Sequence, residues 1–325
     1  MFNEELNVKI GTKNQQFNFR TDLASERRDI YQNANKLEQI EGIKTTQEDI
    51  NENIKVDRVQ ITNQNGEQAI GRPMGNYITI DVKKLKVAGE DEIQKASEVV
   101  SKELKNLIDK HIQKQDEILV VGLGNVYVTP DSLGPKVINE IDVTRHLINY
   151  LPQYVEEGTR PVCALAPGVL GTTGIETMEI LKGIVDNTKP KLVMVIDALA
   201  SRSIDRISST IQISDTGIVP GAGVGNKRKE ISQATLGIPV IAIGIPTVVD
   251  LGTIIDEGLD IFISKLQEKA ESNEYLNKLK EQDNYEEIKE ALAPNDYNMI
   301  VTPKEIDDLI ENMKDVIARG INYAV

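Results

Sequence analysis

The chain has 325 residues with 40% apolar side chains, enough for one large α/β domain or two small ones with a sizeable core. Its formal net charge is −14 and it has no Trp, which argues against nucleic acid as a direct partner and for a self-repelling surface. A single cysteine, Cys163, rules out an internal disulfide and fits a reducing cytoplasm, and no run approaches the roughly 18 apolar residues of a membrane span.

The start, M-F-N-E-E-L-N-V-K-I, lacks the basic-then-apolar order of a secretory signal. Residues 1–22 are polar, rich in Asn and Gln, and read as a loosely held extension. Residues 23–40 are compatible with a helix. Residues 54–62, I-K-V-D-R-V-Q-I-T, alternate apolar and polar as a half-buried strand does. Asn65-Gly66 predicts a turn, with 68–70 and 77–82 as partner strands, so this part reads as a small antiparallel edge layer.

Residues 91–114 predict a long helix whose Ile93, Ala96, Val100, Leu104, Leu107 and His111 would face a sheet. The run 118–121 is wholly apolar and breaks at Gly122-Leu123-Gly124-Asn125, with a helix predicted over 134–150. Three more apolar runs follow, at 162–165, 192–196 and 239–243, with a shorter strand around Ile211 and Ile213. Helices are predicted between and after them, over 175–187 and 252–270. Residues 265–298 are charged and Asn-rich and read as a helical surface insertion. A last amphipathic helix is predicted over 303–319, with Thr302 as cap and Pro303 in its first turn. Apolar runs alternating with helices predict a mostly parallel sheet covered on both faces.

Several motifs could carry chemistry. Gly122-Leu123-Gly124 after a strand suggests a dinucleotide loop, but position 127 is Tyr where a third glycine is needed. The run 220–227, P-G-A-G-V-G-N-K, lacks the Gly-Lys-Ser/Thr of a phosphate loop; it could border the sheet and offer N–H donors. Cys163 lies inside an apolar run, as a small hydrophobe would. Ser201 and Ser203 lie in no nucleophile elbow. The two histidines, His111 and His146, lie within helical patterns, which leaves little for a His-dependent triad or a multi-histidine zinc site.

Two acids remain. Asp131, in T-P-D-S-L-G, can be a helix N-cap or a functional carboxylate. Asp197 follows five apolar residues at a strand end, a costly place for an unpartnered acid. If the two converge, their pKa values split, and one can activate water while the other, protonated, polarises a carbonyl. That would suffice for amide hydrolysis without metal or covalent nucleophile. Two alternatives stay open: a metal-dependent maturation-type peptidase in which Asp131 is a ligand with Asp197 or His146, and a non-catalytic nucleotide-binding protein using the glycine loops.

Six motifs resemble the germination proteases of spore-forming bacteria. They are F-R-T-D-L-A at 19–24, V-V-G-L-G-N at 120–125 and T-P-D-S-L-G-P at 129–135. A-P-G-V-L-G-T-T-G-I-E-T at 166–177, D-A-L-A-S-R-S at 197–203 and D-T-G-I-V-P-G-A-G-V-G-N at 215–226 complete the set. The resemblance implies a doubly wound α/β fold similar to hydrogenase-maturation peptidases, a homotetramer without cofactor, and an aspartic-type endopeptidase with Asp131 and Asp197 as the pair. It also implies a zymogen, with 1–22 as propeptide and 23–325 as one peptidase domain, acting in the forespore or spore-core cytoplasm. The expected substrates are small acid-soluble spore proteins, cut after an acid that precedes a bulky apolar residue and Ala. Asp22-Leu23-Ala24 has that form, so self-cleavage is expected between Asp22 and Leu23. Arg202, Lys227 and Arg228 are candidates to receive the acidic side chain.

Overall fold

The computed structural model describes residues 23–35, 37–83, 85, 88–201, 203–221, 228–269, 285–292 and 299–325. Its centre is one nine-stranded sheet. The strands are β1 (Ile43–Asp49), β2 (Ile54–Ile61), β3 (Gly75–Val82), β4 (Ile118–Gly122), β5 (Val162–Leu165), β6 (Leu192–Ser201), β7 (Thr210–Ser214), β8 (Val240–Asp250) and β9 (Ile300–Val301). Their spatial order is β1-β2-β3-β7-β8-β6-β4-β5, with β9 paired to β8.

The four strands β8-β6-β4-β5 are mutually parallel. These are the four apolar runs of the sequence, buried on both faces as parallel strands are. The antiparallel edge is present too. It is β1-β2-β3-β7, and it continues the parallel block in the same sheet through the antiparallel pair β7–β8.

The helices are α1 (Ala24–Asn35), α2 (Gln64–Ile70), α3 (Glu90–His111), α4 (Leu133–Ile138), α5 (Arg145–Tyr150), α6 (Leu170–Thr173), α7 (Thr177–Thr188), α8 (Gln233–Leu236), α9 (Leu251–Lys269), α10 (Tyr285–Leu292) and α11 (Ile306–Ala324). α3 and α11 cover one sheet face. Val100, Leu104 and Leu107 of α3 and Ile310, Met313 and Ile317 of α11 meet Ile80, Val120, Met194, Ile211 and Ile243 there. The other face is split. α7 covers the parallel half, with Leu181 and Val185 against Leu119, Val121, Val193 and Val195. α1 and α2 cover the antiparallel half around Val59, Ile61 and Tyr77. Among the described residues, no helix is long and apolar enough to cross a membrane.

Five elements differ from the sequence expectation. The last helix begins at Ile306 after Glu305, and Thr302 is not its cap, its hydroxyl donating to the Thr247 carbonyl at 2.9 Å. Asn65-Gly66 and the expected strand 68–70 both lie inside α2, because Asn63 accepts the Gly66 N–H and caps the helix, and Gly71 closes it at φ 62°. β1, I-K-T-T-Q-E-D, is an exposed edge strand without an apolar face to read. The helix expected over 134–150 is two short ones. Thr144 is pulled out of the helix by its N–H to the Val162 carbonyl (3.0 Å) and its hydroxyl to the Arg160 carbonyl (2.5 Å). Finally, β6 does not stop at Ile196. It runs through Asp197 to Ser201, paired to β8 with a register shift at Leu199 and Ala200. Of the charged segment 265–298, the end of α9 and α10 are described, and the rest lies outside the described residues.

Candidate active site

The site is built where β4 ends beside β6. Leu123 N–H donates to the Ile196 carbonyl at 2.8 Å and carries the chain across the top of the neighbouring strand. The next residues are packed backbone against backbone. A Cβ on Gly122 would lie 2.1 Å from the Gly134 carbonyl oxygen, and one on Gly124 would lie 2.0 Å from the Asp131 carbonyl oxygen. Gly124 also has φ +114°, a conformation that other residues rarely adopt. The glycines of V-V-G-L-G-N therefore let the loop fold onto the start of α4, and their space is filled by the protein itself. That accounts for them without a dinucleotide.

This packing fixes Asp131 on the short 3-10 turn Thr129–Asp131. The residue flanking α4 is Ser132, so the N-cap alternative is not what this side chain does. The Asp131 carboxylate turns back and accepts the Asn125 N–H at 2.8 Å. Burial pushes its pKa above the ordinary value, and the Asn125 N–H opposes the shift. The cause is desolvation, not the neighbouring carboxylate that the sequence reading invoked.

Asp197 is 6% exposed and accepts the Ala198 N–H at 3.0 Å. Both acids line one cavity of about 440 Å³. Leu123, Val169, Leu170, Val219 and Pro220 form its apolar wall, and Thr177, Thr247 and Thr302 add hydroxyls. This is the size and character of a ligand cleft. Two carboxyls in such a surround can divide the tasks of acid and base.

Arg228 lines the same cavity, 3.6 Å from Glu176. Its backbone N–H donates to the Pro220 carbonyl at 3.2 Å. Arg202, Lys227 and Asp22 lie outside the described residues. Leu23 is described, and it does not line the cavity. Its side chain is 1% exposed, at the start of α1 on the antiparallel half.

The sheet register relates that seat to the acids. Asp57, Thr79, Gln212, Gly244 and Asp197 are cross-strand partners in one row over β2, β3, β7, β8 and β6, so they share a face. Gln212 Oε1 accepts the Ala24 N–H at 3.3 Å. Gln212 is two strands from Asp197, a span of roughly 10 Å. The start of α1 and the acid-lined cavity thus sit on one face, side by side.

The other candidates are accounted for structurally. Burial and the nearby Glu117 carboxylate push the Cys163 thiol up to about 12. Ser201 Oγ donates to the Ser203 carbonyl and accepts the Ser203 N–H, a closed local ring. His111 lies 3.5 Å from Asp215, and His146 is exposed on α5, away from the cavity lining. Among the described residues, no group of three or more His, Cys, Asp or Glu could hold a metal ion. The sequence reading did not single out Glu176, Thr247 or Thr302. For Glu176 a signal existed, since it is the one acid in the run 166–177 and stands at the mouth of a helix.

Comparison with known proteins bears on this geometry. A family model described as germination protease matches residues 20–279 and 267–325. A germination protease of Clostridium perfringens is 47% identical over 95% of this chain and 95% of its own length. One from Caldanaerobacter subterraneus is 48% identical over 94% of both chains. One from Bacillus cereus is 42% identical over 95% of this chain and 94% of its own. Among solved structures, a NiFe hydrogenase maturation protease from Thermococcus kodakarensis matches 43% of this chain and 80% of its own, at 18% identity and TM-score 0.27. A likeness that slight carries no argument.

Proposed function

The chain belongs to the germination protease family, and from that premise we propose that it is an aspartic-type endopeptidase whose acid pair is Asp131 and Asp197. The observation that carries this reading is the pair of carboxyls lining one largely apolar cavity, with one of them shifted upward by burial. Asp131 is then the protonated member, its proton favoured by burial, and donates a hydrogen bond to the scissile carbonyl. Asp197, as carboxylate, takes a proton from a water as its oxygen bonds to the carbonyl carbon. When the tetrahedral intermediate collapses, the C–N bond breaks and the leaving nitrogen takes that proton from Asp197. Asp131 keeps its proton throughout, as hydrogen-bond donor to the oxygen that carries the developing negative charge. Asp131→Asn and Asp197→Asn should each abolish cleavage in a folded protein, and near-normal turnover by either variant would reject the pair.

The substrates in this reading are small acid-soluble spore proteins, cut after an acid followed by a bulky apolar residue and Ala. The cavity has chemistry to match, with Arg228 for the acid and Val169, Leu170 and Val219 for apolar side chains. The protein acts in the forespore or spore-core cytoplasm as a homotetramer.

Self-processing between Asp22 and Leu23 belongs to the same proposal. Its support is the sequence Asp22-Leu23-Ala24 and the anchoring of Ala24 on the face that carries Asp197. Leu23 is buried in its own seat, so the junction must leave that seat to be cut. Processing should accordingly be slower than cleavage of an extended substrate. Comparing the two rates on one preparation tests this, and a faster self-cut would count against it.

A further inference from the structure

We infer that Glu176 is a specificity-determining residue that occupies, on Arg228, the place of the substrate's acidic side chain and yields it when substrate binds. The inference rests on the proposed reading of Arg228 as the residue that receives that acid.

Arg228 is the only cationic side chain among the described residues lining the cavity, while Asp131, Asp197 and Glu176 all line it as acids. Among these described residues an incoming carboxylate meets three acids and one guanidinium already facing a carboxylate. The Arg228–Glu176 contact is 3.6 Å, with side chains 31% and 27% exposed. That is longer than the roughly 2.7–2.9 Å of a charge-assisted hydrogen bond. The same protein shows what a locked pair looks like: Arg28 grips Asp57 at 2.9 and 2.8 Å through two nitrogens. The Glu176 contact is Coulombic and exchangeable.

Arg228 does not need Glu176 to stay in place. Its backbone is held by the Pro220 carbonyl at 3.2 Å, and its neighbour Lys229 reaches Glu179 at 3.6 Å. Removing the Glu176 charge should leave the guanidinium in the cavity and free it for a ligand. A bidentate Arg–carboxylate contact with substrate would then replace the looser internal one.

The test is steady-state cleavage of two peptides that differ only in Glu or Gln before the cut. Glu176→Gln should lower KM for the Glu peptide by roughly two- to fivefold, the range of a partly exposed ion pair, with a smaller change for the Gln peptide. In an Arg228→Gln background the gain should vanish, since the competition is for that side chain. A raised or unchanged KM in Glu176→Gln would overturn the inference, because an orienting role predicts that sign. A gain that persists without Arg228 would overturn it too, by showing only a general field. Arg228→Gln alone reports on the underlying reading. If that variant still prefers Glu, the assignment of Arg228 has failed. If the preference is lost but Glu176→Gln gives no gain, the role of Glu176 alone has failed.

Discussion

Asp57 and Asp197 stand in one row on one face of one sheet, 7% and 6% exposed, yet one is covered by a helix and the other lines a cavity. Asp57 lies under α1. It takes two hydrogen bonds from Arg28 and a third from Gln47 at 2.9 Å. Burial alone would lower the Arg28 pKa, but the hydrogen bonds to Asp57 and Asp29 outweigh it and the net shift is upward. Around it, Ser25 meets Thr79 at 3.2 Å and Arg206 joins Asp81 to α1 through Glu26. Asp197 instead lines an open cavity with Asp131, whose carboxylate accepts one backbone N–H and is pushed upward by burial. One half of the face encloses its charge between opposite charges. The other places two acids along one largely apolar cavity, where burial favours the protonated form of Asp131.

The largest effects should separate the two regions by kind. Asp197→Asn and Asp131→Asn should reduce cleavage by at least about 10²–10⁴-fold, the usual worth of a positioned acid or base. Asp131→Asn should also cost little stability. For Asp131 the sign is the reverse of a paired acid. Burial makes the folded state hold its proton to higher pH than the unfolded chain, whose Asp titrates near 3.9. Folding stability from this group is thus highest below that value and falls as pH rises through the shifted one. Asp131→Asn removes the penalty, so it should raise Tm at pH 7 more than at pH 4. A Tm loss at pH 7 would show that the two regions are not different after all.

Arg28→Ala should do the opposite. It leaves Asp57 buried without its main partner, at a cost of about 3–5 kcal/mol. Urea unfolding should show the loss, while the specific activity of the fraction still folded stays near that of the parent. Arg28→Met combined with Asp57→Leu should recover much of it, because a buried pair can be replaced by apolar packing. If instead the Arg28 variant were stable and inactive, α1 would belong to the chemistry.

The contrast also explains what could be read from sequence. The parallel half was legible because β4, β5, β6 and β8 are apolar on both faces and stand out as runs. Asp197 stood out because it directly follows such a run, whereas Asp131, beyond the glycine break after another, could equally be read as a helix N-cap. The antiparallel half was legible in part, since 54–62 and 77–82 read as strands of an edge layer and Ile211 with Ile213 as a shorter strand, but one of its faces was hidden. Its sheet face carries Asp57, Thr79, Thr210, Gln212 and Ser214, all buried yet polar, so no alternation marks them as interior. β1 has no apolar face at all, and Asn65-Gly66 follows a capping Asn63 that turned a turn signal into a helix start. Arg28 and Asp57 are 29 residues apart, and only the fold pairs them. Arg228 and Glu176 likewise come from separate segments. Their meeting needed the loop closed by the Pro220–Arg228 hydrogen bond, which leaves no periodic trace in sequence.

The smallest expected effect lies on the boundary between the regions, at Gln212. Its side chain belongs to the polar row under α1, yet it stands two strands from Asp197 and holds the N–H of Ala24 at 3.3 Å. Gln212→Ala removes one neutral hydrogen bond, worth about 1 kcal/mol. If the junction after Asp22 must leave its seat to be cut, that loss should shift the seated–released balance by roughly fivefold. Self-processing should speed up by a comparable factor while cleavage of an added peptide stays the same. Timed N-terminal sequencing of the variant and parent would measure both. An unchanged or slower self-cut would mean that Ala24 is held there to present the junction, not to restrain it, and the start of α1 would then act as part of the cleavage site.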